Sequence, residues 1–225
     1  MANKGSNKHI KRLASGNYIR VSRKTSAYVT KPMPGGHPLE VSISIGTVLR
    51  EKLHAAATLH EVELMLQQGF VKVNGKEIKT HKYPVGFGDI ITLEPSKETY
   101  SVTVAKHGAF AAEKTDIKKE RIYKVLGKYV AKKGKVMIRL DNGDIMDAPK
   151  GVNVNDSISI KDGKHSNTIK MEAGKKCFVV KGAHSSESGT IKVINQGTAT
   201  RAALVSITGK AGEFETLLEN IMVTG

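Results

Sequence analysis

The sequence predicts an α+β fold that is mostly β: a small α/β module of two helices and a β-hairpin, a central β-barrel-like domain, and a C-terminal barrel. Three observations lead there. Apolar residues recur at helical spacing between Gly46 and Gly69, Asn-Gly pairs at Asn74-Gly75 and Asn142-Gly143 mark tight turns, and short alternating runs punctuated by glycine follow. At 225 residues the chain can bury ordinary cores without disulfide or metal staples. Its boundaries read as a basic N-terminal arm and linker over 1–40, the α/β module over 41–97, the central β domain over 98–172 and the last barrel over 173–225.

The arm from Met1 to Pro32 carries eight cations (Lys4, Lys8, Lys11, Arg12, Arg20, Arg23, Lys24 and Lys31) and no acid. Its larger apolar side chains are Ile10, Leu13, Tyr18, Ile19, Val21, Tyr28 and Val29, too few to offset the entropy of ordering in isolation. It is expected to be disordered alone and to order on a polyanion; a plain solvated tail is the alternative. The run Pro32-Met33-Pro34-Gly35-Gly36-His37-Pro38 reads as a turn-rich linker.

Leu49, Leu53 and Ala56 fall at i, i+4 and i+7, with Arg50, Glu51, Lys52 and His54 on the other face, so Gly46 to Ala56 reads as an amphipathic helix. A second helix follows. Thr58 and Glu61 have the spacing of a capping box, Leu59, Val62, Met65 and Leu66 make its stripe, and Gly69 stops it. Phe70-Val71-Lys72-Val73 and Lys76-Glu77-Ile78 flank Asn74-Gly75 as a hairpin, expected to set Lys72 and Lys76 on one side. Ile90 to Leu93 is the next strand.

From Glu98 to Glu172 the alternation of Tyr100, Val102 and Val104, and of Val136, Ile138 and Leu140, predicts strands throughout. A second basic concentration lies here: Lys118-Lys119, Arg121, Lys124, Lys128, Lys132-Lys133, Lys135 and Arg139, interleaved with Tyr123 and Tyr129. Such cations can contact phosphate or simply keep strand edges soluble. Strands at Cys177 to Val180, Thr190 to Ile194, Ala202 to Ile207 and Ile221 to Val223 fit a compact barrel of about five strands.

The 36 Lys and Arg against 21 Asp and Glu give a formal net charge of +15. That excess points to a polyanionic partner. No stretch approaches the roughly 18 apolar residues of a spanning helix, and the N-terminus lacks the apolar core of a signal peptide, so a cytoplasmic location without membrane is expected. Cys177 is the only cysteine and reads as a buried strand residue.

Leu49-Arg50-Glu51-Lys52-Leu53, Gly69-Phe70-Val71-Lys72-Val73-Asn74-Gly75-Lys76 and Gly88-Asp89 resemble the S-four RNA-binding module. The resemblance implies a continuous face for structured RNA presenting Arg50, Lys52, His60, Lys72, Lys76 and Lys79. Lys8-His9-Ile10-Lys11-Arg12-Leu13-Ala14, Pro34-Gly35-Gly36-His37-Pro38, Lys82-Tyr83-Pro84-Val85-Gly86, Val154-Asn155-Asp156, Phe178-Val179-Val180-Lys181-Gly182-Ala183 and Leu218-Glu219-Asn220-Ile221 extend the likeness. Over nearly the whole chain it resembles the small-subunit ribosomal protein S-four-e family of archaea and eukaryotes. That implies a C-terminal KOW-type SH3-like barrel, small-subunit rRNA and neighbouring small-subunit ribosomal proteins as partners, and a place on the ribosome. Further RNA contacts are expected from Lys8, Lys11, Arg12, Arg20, Arg23 and Lys24 in the arm, and from Lys124, Lys128, Lys132 and Lys133. Two departures matter. Glu187 stands in the KOW turn where relatives often place a basic residue, so that turn is not expected to be a major RNA contact, and a basic protein neighbour is the alternative. Tyr18 is the arm's nearest aromatic to the tryptophan of many relatives, and keeps a stacking role.

Chemistry finds no foothold in the sequence. Gly127 to Lys135 has six residues between its glycines where a phosphate loop needs four, and Gly86-Phe87-Gly88 lacks the third glycine of a dinucleotide site. The eight histidines are scattered away from Cys177, and Gly-x-Ser-x-Gly does not occur. No cofactor, metal or small-molecule substrate is expected. A structural ribosomal protein is the leading reading; a free RNA-binding regulator and an rRNA-modifying enzyme are the alternatives.

Overall fold

The computed structural model describes residues 8–22, 24–115, 121–161, 164–209 and 212–225, without the side chains of Lys133 and Lys164. The chain divides into two compact units, Met1–Thr103 with Ala109–Asp116, and Val104–Gly108 with Ile117–Gly225.

In the first unit β1 (Ile10–Lys11) pairs antiparallel with β2 (Tyr28–Val29), and Ile19 and Val29 are buried. The described part of the arm is therefore folded, contrary to the sequence expectation. Its few apolar side chains, insufficient alone, are supplemented by tertiary contacts, Arg12 with Glu51 and Tyr18 with Phe110. After β3 (Ile43–Ser44), the short helix α1 (Ile45–Thr47) runs into a wide turn, Val48–Lys52, where the Leu53 N–H reaches back five residues to the Val48 carbonyl at 3.0 Å. The predicted helix to Ala56 thus ends early. The wide turn buries both Val48 and Leu49, and His54 leaves the helix with φ +52°. Helix α2 (Leu59–Gln67) starts as its capping box predicts: the Thr58 hydroxyl accepts from the Glu61 N–H at 3.2 Å, and the Glu61 carboxylate accepts from the Thr58 N–H at 3.3 Å.

Strands β4 (Val71–Val73), β5 (Lys76–Glu77), β6 (Pro84–Val85), β7 (Ile90–Leu93), β8 (Glu98–Val104) and β9 (Phe110–Lys114) follow. Their main sheet has the order β5-β4-β7-β8-β9, while β6 pairs with β3. Strands β8 and β9 thus extend the first sheet, with Tyr100 opposite Ile91, although the sequence reading grouped them with the central β region. Alternation identifies a strand but not its partner. Asn74 and Gly75 have φ +53° and +81°, the left-handed pair that a two-residue hairpin turn requires. The register sets Lys72 opposite Glu77 and Lys76 opposite Val73. Since neighbours along a strand alternate in face, Lys72 and Lys76 stand on opposite sides, not on one.

The second unit contains two antiparallel sheets. The first comprises β10 (Arg121–Val130), β11 (Val136–Leu140), β12 (Ile145–Asp147), β13 (Ser157–Lys161) and β14 (Lys164–Ile169), in the order β12-β11-β10-β13-β14. The second comprises β15 (Lys176–Val179), β16 (Ser188–Asn195), β17 (Leu204–Gly209), β18 (Gly212–Leu217) and β19 (Ile221–Val223), in the order β18-β17-β16-β15-β19. Each has its own core, Tyr123, Val125, Ile138, Leu140 and Ile158 in one, and Cys177, Val179, Ile191, Val205 and Ile207 in the other. The Ser157 hydroxyl joins them by accepting from the Val223 N–H at 3.1 Å.

Asp89, 2 % exposed, ties the first unit's loops together. One carboxylate oxygen accepts from the Gly86 N–H and from His37 Nε2, both at 2.9 Å, and the other accepts from Asn74 Nδ2 at 2.7 Å. The Asn74 side chain in turn accepts from the Ile90 N–H at 3.0 Å. A buried carboxylate accepts only, and these three donors satisfy it. Replacing Asp89 by Ala strands all three donors, so urea denaturation is expected to show a loss of about 3–5 kcal/mol in the first unit. A loss below about 1 kcal/mol would show that water substitutes for the carboxylate.

Candidate nucleic-acid interface

The basic side chains fall into three groups. Lys8, Lys11, Arg20, Lys24, His60, Lys76 and Lys79 are exposed on the first unit. Arg50, Lys52 and Lys72 are half-buried with acidic or carbonyl neighbours. Arg12 and Lys124 are buried. Arg23, with Lys4, Lys118 and Lys119, lies outside the described residues, as does the Lys133 side chain.

Arg12 is a structural cation. One guanidinium nitrogen donates to the Ser22 carbonyl at 2.7 Å and another to Glu51 Oε1 at 2.7 Å, fastening the arm to the wide turn. A cation 2 % exposed cannot also reach a polyanion, which corrects its assignment as a contact residue. Tyr18 is engaged too. Its ring meets Phe110 edge-on at 6.4 Å, and its carbonyl accepts from the Phe110 N–H, so it is not presented for stacking. Burial, then Glu40, raises its phenol above the ordinary range.

Lys52 donates to the Arg20 carbonyl at 3.1 Å, and burial, then Arg20, lowers its ammonium pKa. Lys72 pairs with Glu94 at 2.8 Å, a hydrogen bond that raises its pKa and masks part of its charge. Arg50 is only loosely held by Glu51, at 3.6 Å. It faces a groove of about 470 Å³ lined also by Arg12, Thr25, Ser26, Glu51, His54, Ala56 and Ala57. The fold thus brings Thr25 and Ser26 of the arm and Arg50 and His54 of the module to one groove, while Arg20 and Lys24 are exposed on the arm. Among the described residues no three His, Cys, Asp or Glu side chains gather as metal ligands would.

In the second unit Lys124 Nζ donates to the Leu218 and Glu219 carbonyls at 2.6 and 3.3 Å, joining the two sheets. It is an internal staple, and its assignment as a contact residue is corrected with that of Arg12. Lys128 is exposed but donates to the Val152 carbonyl at 3.1 Å, and Lys132 stands exposed in the turn between β10 and β11. In the C-terminal sheet His184 stacks on Phe214 at 4.3 Å and approaches Glu187 at 3.5 Å.

Residues 47–91, from the end of α1 through the Asp89 loop, match the family model described as the S4 domain. Over 219 residues the chain is 32 % identical to the small ribosomal subunit protein eS4 of Methanocella arvoryzae, covering 96 % of this chain and 94 % of that one. Over 229 residues it is 32 % identical to the protein of the same name from Methanosphaera stadtmanae, covering 100 % and 95 %. The chain belongs to the eS4 family. The crystal structure of the ribosomal protein S4e from Thermoplasma acidophilum superposes with a TM-score of 0.69 at 26 % identity, over 82 % of this chain and 95 % of that one.

In this eS4 chain the sequence reading missed Glu51, Asp89 and His37 as organising residues. Glycine-aspartate was visible as a motif, but only the fold shows that its carboxylate gathers three segments. Lys124 was misassigned for a related reason: a lysine between Tyr123 and Val125 carries no local mark of being buried. Burial pushes its ammonium down to about 8 from the ordinary 10.5, against the raising influence of Asp141 and then Glu219, with Lys181 lowering it further. The folded form therefore releases this proton before the unfolded chain does. Between about pH 8 and 10.5 the unfolded chain binds more protons, so stability rises with pH through that window. Below it the charged Lys124 costs the fold on the order of 3 kcal/mol, and above it nothing. Against a Lys124→Met reference, which cannot titrate, the wild-type second unit should gain about 2–3 kcal/mol on going from neutral pH to pH ~10.5. A pH-independent difference between the two proteins would mean an ordinary lysine.

Proposed function

We propose that this chain is a structural constituent of the small ribosomal subunit that binds and stabilises folded small-subunit rRNA in support of translation. It carries out no chemistry of its own, contacts neighbouring small-subunit ribosomal proteins, and resides on cytoplasmic ribosomes. The observation that carries this reading is the match to eS4 proteins along essentially the whole chain. The exposed cations support it physically. A folded RNA offers no readable major groove, so a rigid basic face follows its phosphate contour. Arg20, Lys24, Arg50, His60, Lys76 and Lys79 would supply that face, with Lys8 and Lys11 beside it and Lys128, Lys132 and Lys133 as a second basic area. Lys52 and Lys72 would contribute less, their charge being shared with the Arg20 carbonyl and Glu94. Glu187 would turn the KOW loop toward a basic protein neighbour.

Co-sedimentation with small subunits in moderate salt separates this role from that of a free regulator, which would stay in the supernatant. Individual cations are sorted by salt dependence. Arg50→Ala and Lys79→Ala should each weaken binding to a small-subunit rRNA transcript and flatten the plot of log affinity against log salt by roughly 0.7 to 1. Arg12→Ala should instead destabilise the first unit by about 2–4 kcal/mol, leaving the slope of the folded fraction unchanged. Equal slope changes for all three would show a diffuse cation cloud with no defined face.

A further inference from the structure

We propose that the outward face of the β10–β11 ribbon is a stacking site for one unpaired nucleotide, with Tyr129 as its platform. The inference rests on the reading of this chain as an RNA-binding protein and specifies the form of RNA that one part of it takes. Residues 121–140 contain seven cations and no acid. Alternation alone would put Tyr123 and Tyr129, six residues apart, on the same face. The register shifts between Val125 and Gly127, and this bulge turns the second tyrosine out. Tyr123 is 2 % exposed in the core, whereas Tyr129 is 43 % exposed.

What surrounds Tyr129 suits a base. On its face the cross-strand pairs are Tyr129 with Met137 and Gly127 with Arg139. A Cβ placed on Gly127 would meet nothing within 4 Å, so the backbone beside the ring lies open. Arg139 is exposed across that opening, and Lys132 and Lys135 stand exposed at the ribbon's end. Asp147 pairs with Met137 from β12, so this acid stands two strands away from the ring, and the ribbon itself carries none. An aromatic face with a flat, open neighbour and cations at its rim is the combination that holds a single strand. A duplex hides its base faces and could use only the rim.

The test uses the full chain with a labelled oligoadenylate of about eight nucleotides and a blunt RNA duplex of the same length. Tyr129→Ala should weaken oligoadenylate binding about tenfold without changing the salt slope, since the ring carries no charge, and should leave duplex binding unchanged. Tyr129→Phe should bind as the wild type does. Gly127→Val, which keeps the ring but fills the opening, should weaken oligoadenylate binding as Tyr129→Ala does, with both variants melting at the wild-type temperature. The proposal is overturned if Tyr129→Ala binds oligoadenylate normally, if it loses duplex and single strand equally, or if Tyr129→Phe fails like Ala. Normal RNA binding combined with loss from the small subunit would assign the face to a polypeptide and overturn it too. In each of these outcomes the wild type still binds rRNA, and the reading of the whole chain stands; a wild type that binds no RNA would remove both.

Discussion

The Asp89 carboxylate accepts hydrogen bonds from the loop at Gly86, the hairpin at Asn74 and the linker at His37, segments widely separated in the chain. A buried carboxylate is costly unless its oxygens are filled, so each donor must arrive at its place for the others to be worth making. The hairpin turn, the β6–β7 loop and the linker consequently form as one object. The same solution recurs in the second unit. Asp156, 4 % exposed, accepts from the Asn153 N–H at 2.8 Å and the Met171 N–H at 3.0 Å, tying the approach to β13 to the segment that leads into β15. Short strands joined by irregular loops leave many backbone N–H groups without ladder partners, and an aspartate at the crossing point satisfies several at once.

Net charge and functional charge are different quantities in this protein. The +15 excess announces a polyanionic partner, yet the chain diverts part of it inward. Arg12 binds Glu51 and the Ser22 carbonyl, and Lys124 binds two carbonyls between the sheets. The arm's Arg12 and Lys11 are neighbours of identical sign, and only burial separates the structural cation from the exposed one. Arginine suits the first role because its planar fork serves a carboxylate and a carbonyl together. Lysine suits the second because its compact ammonium has three donors and can serve two neighbouring carbonyls from one point.

Local chemistry was legible in the sequence, and non-local partnership was not. The Thr58–Glu61 capping box and the Asn74-Gly75 turn formed as read, since their hydrogen bonds and φ angles involve residues within three positions of one another. The mostly β fold followed from alternation. Where the reading departed from the structure, a distant contact decided the outcome. Ile19 and Val29 of the arm are buried, β8 and β9 join the sheet of β7, and the wide turn after α1 ends the helix early and buries Val48 beside Leu49. The bulge in β10 belongs to the same class. One extra residue exchanges inside for outside, so Tyr123 and Tyr129 read alike in sequence and differ in the fold.

The folded arm also changes how affinity for a polyanion can arise. A disordered basic tail gives up conformational freedom when it binds, at a cost of about 1–2 kcal/mol for each ordered residue, and much of its electrostatic attraction is consumed in doing so. Here the strand pair at Ile10 and Val29, the Arg12–Glu51 pair and the Lys52 bond to the Arg20 carbonyl place that ordering in folding instead. Arg20 is held at φ +44°, a left-handed conformation unusual for a side chain of its size, and Lys52 fixes the carbonyl that this conformation turns outward. The backbone that carries its side chain is therefore held at a set position beside the module. A preorganised cation meets a fixed phosphate with little further loss of freedom, so shape selects the partner as strongly as charge attracts it.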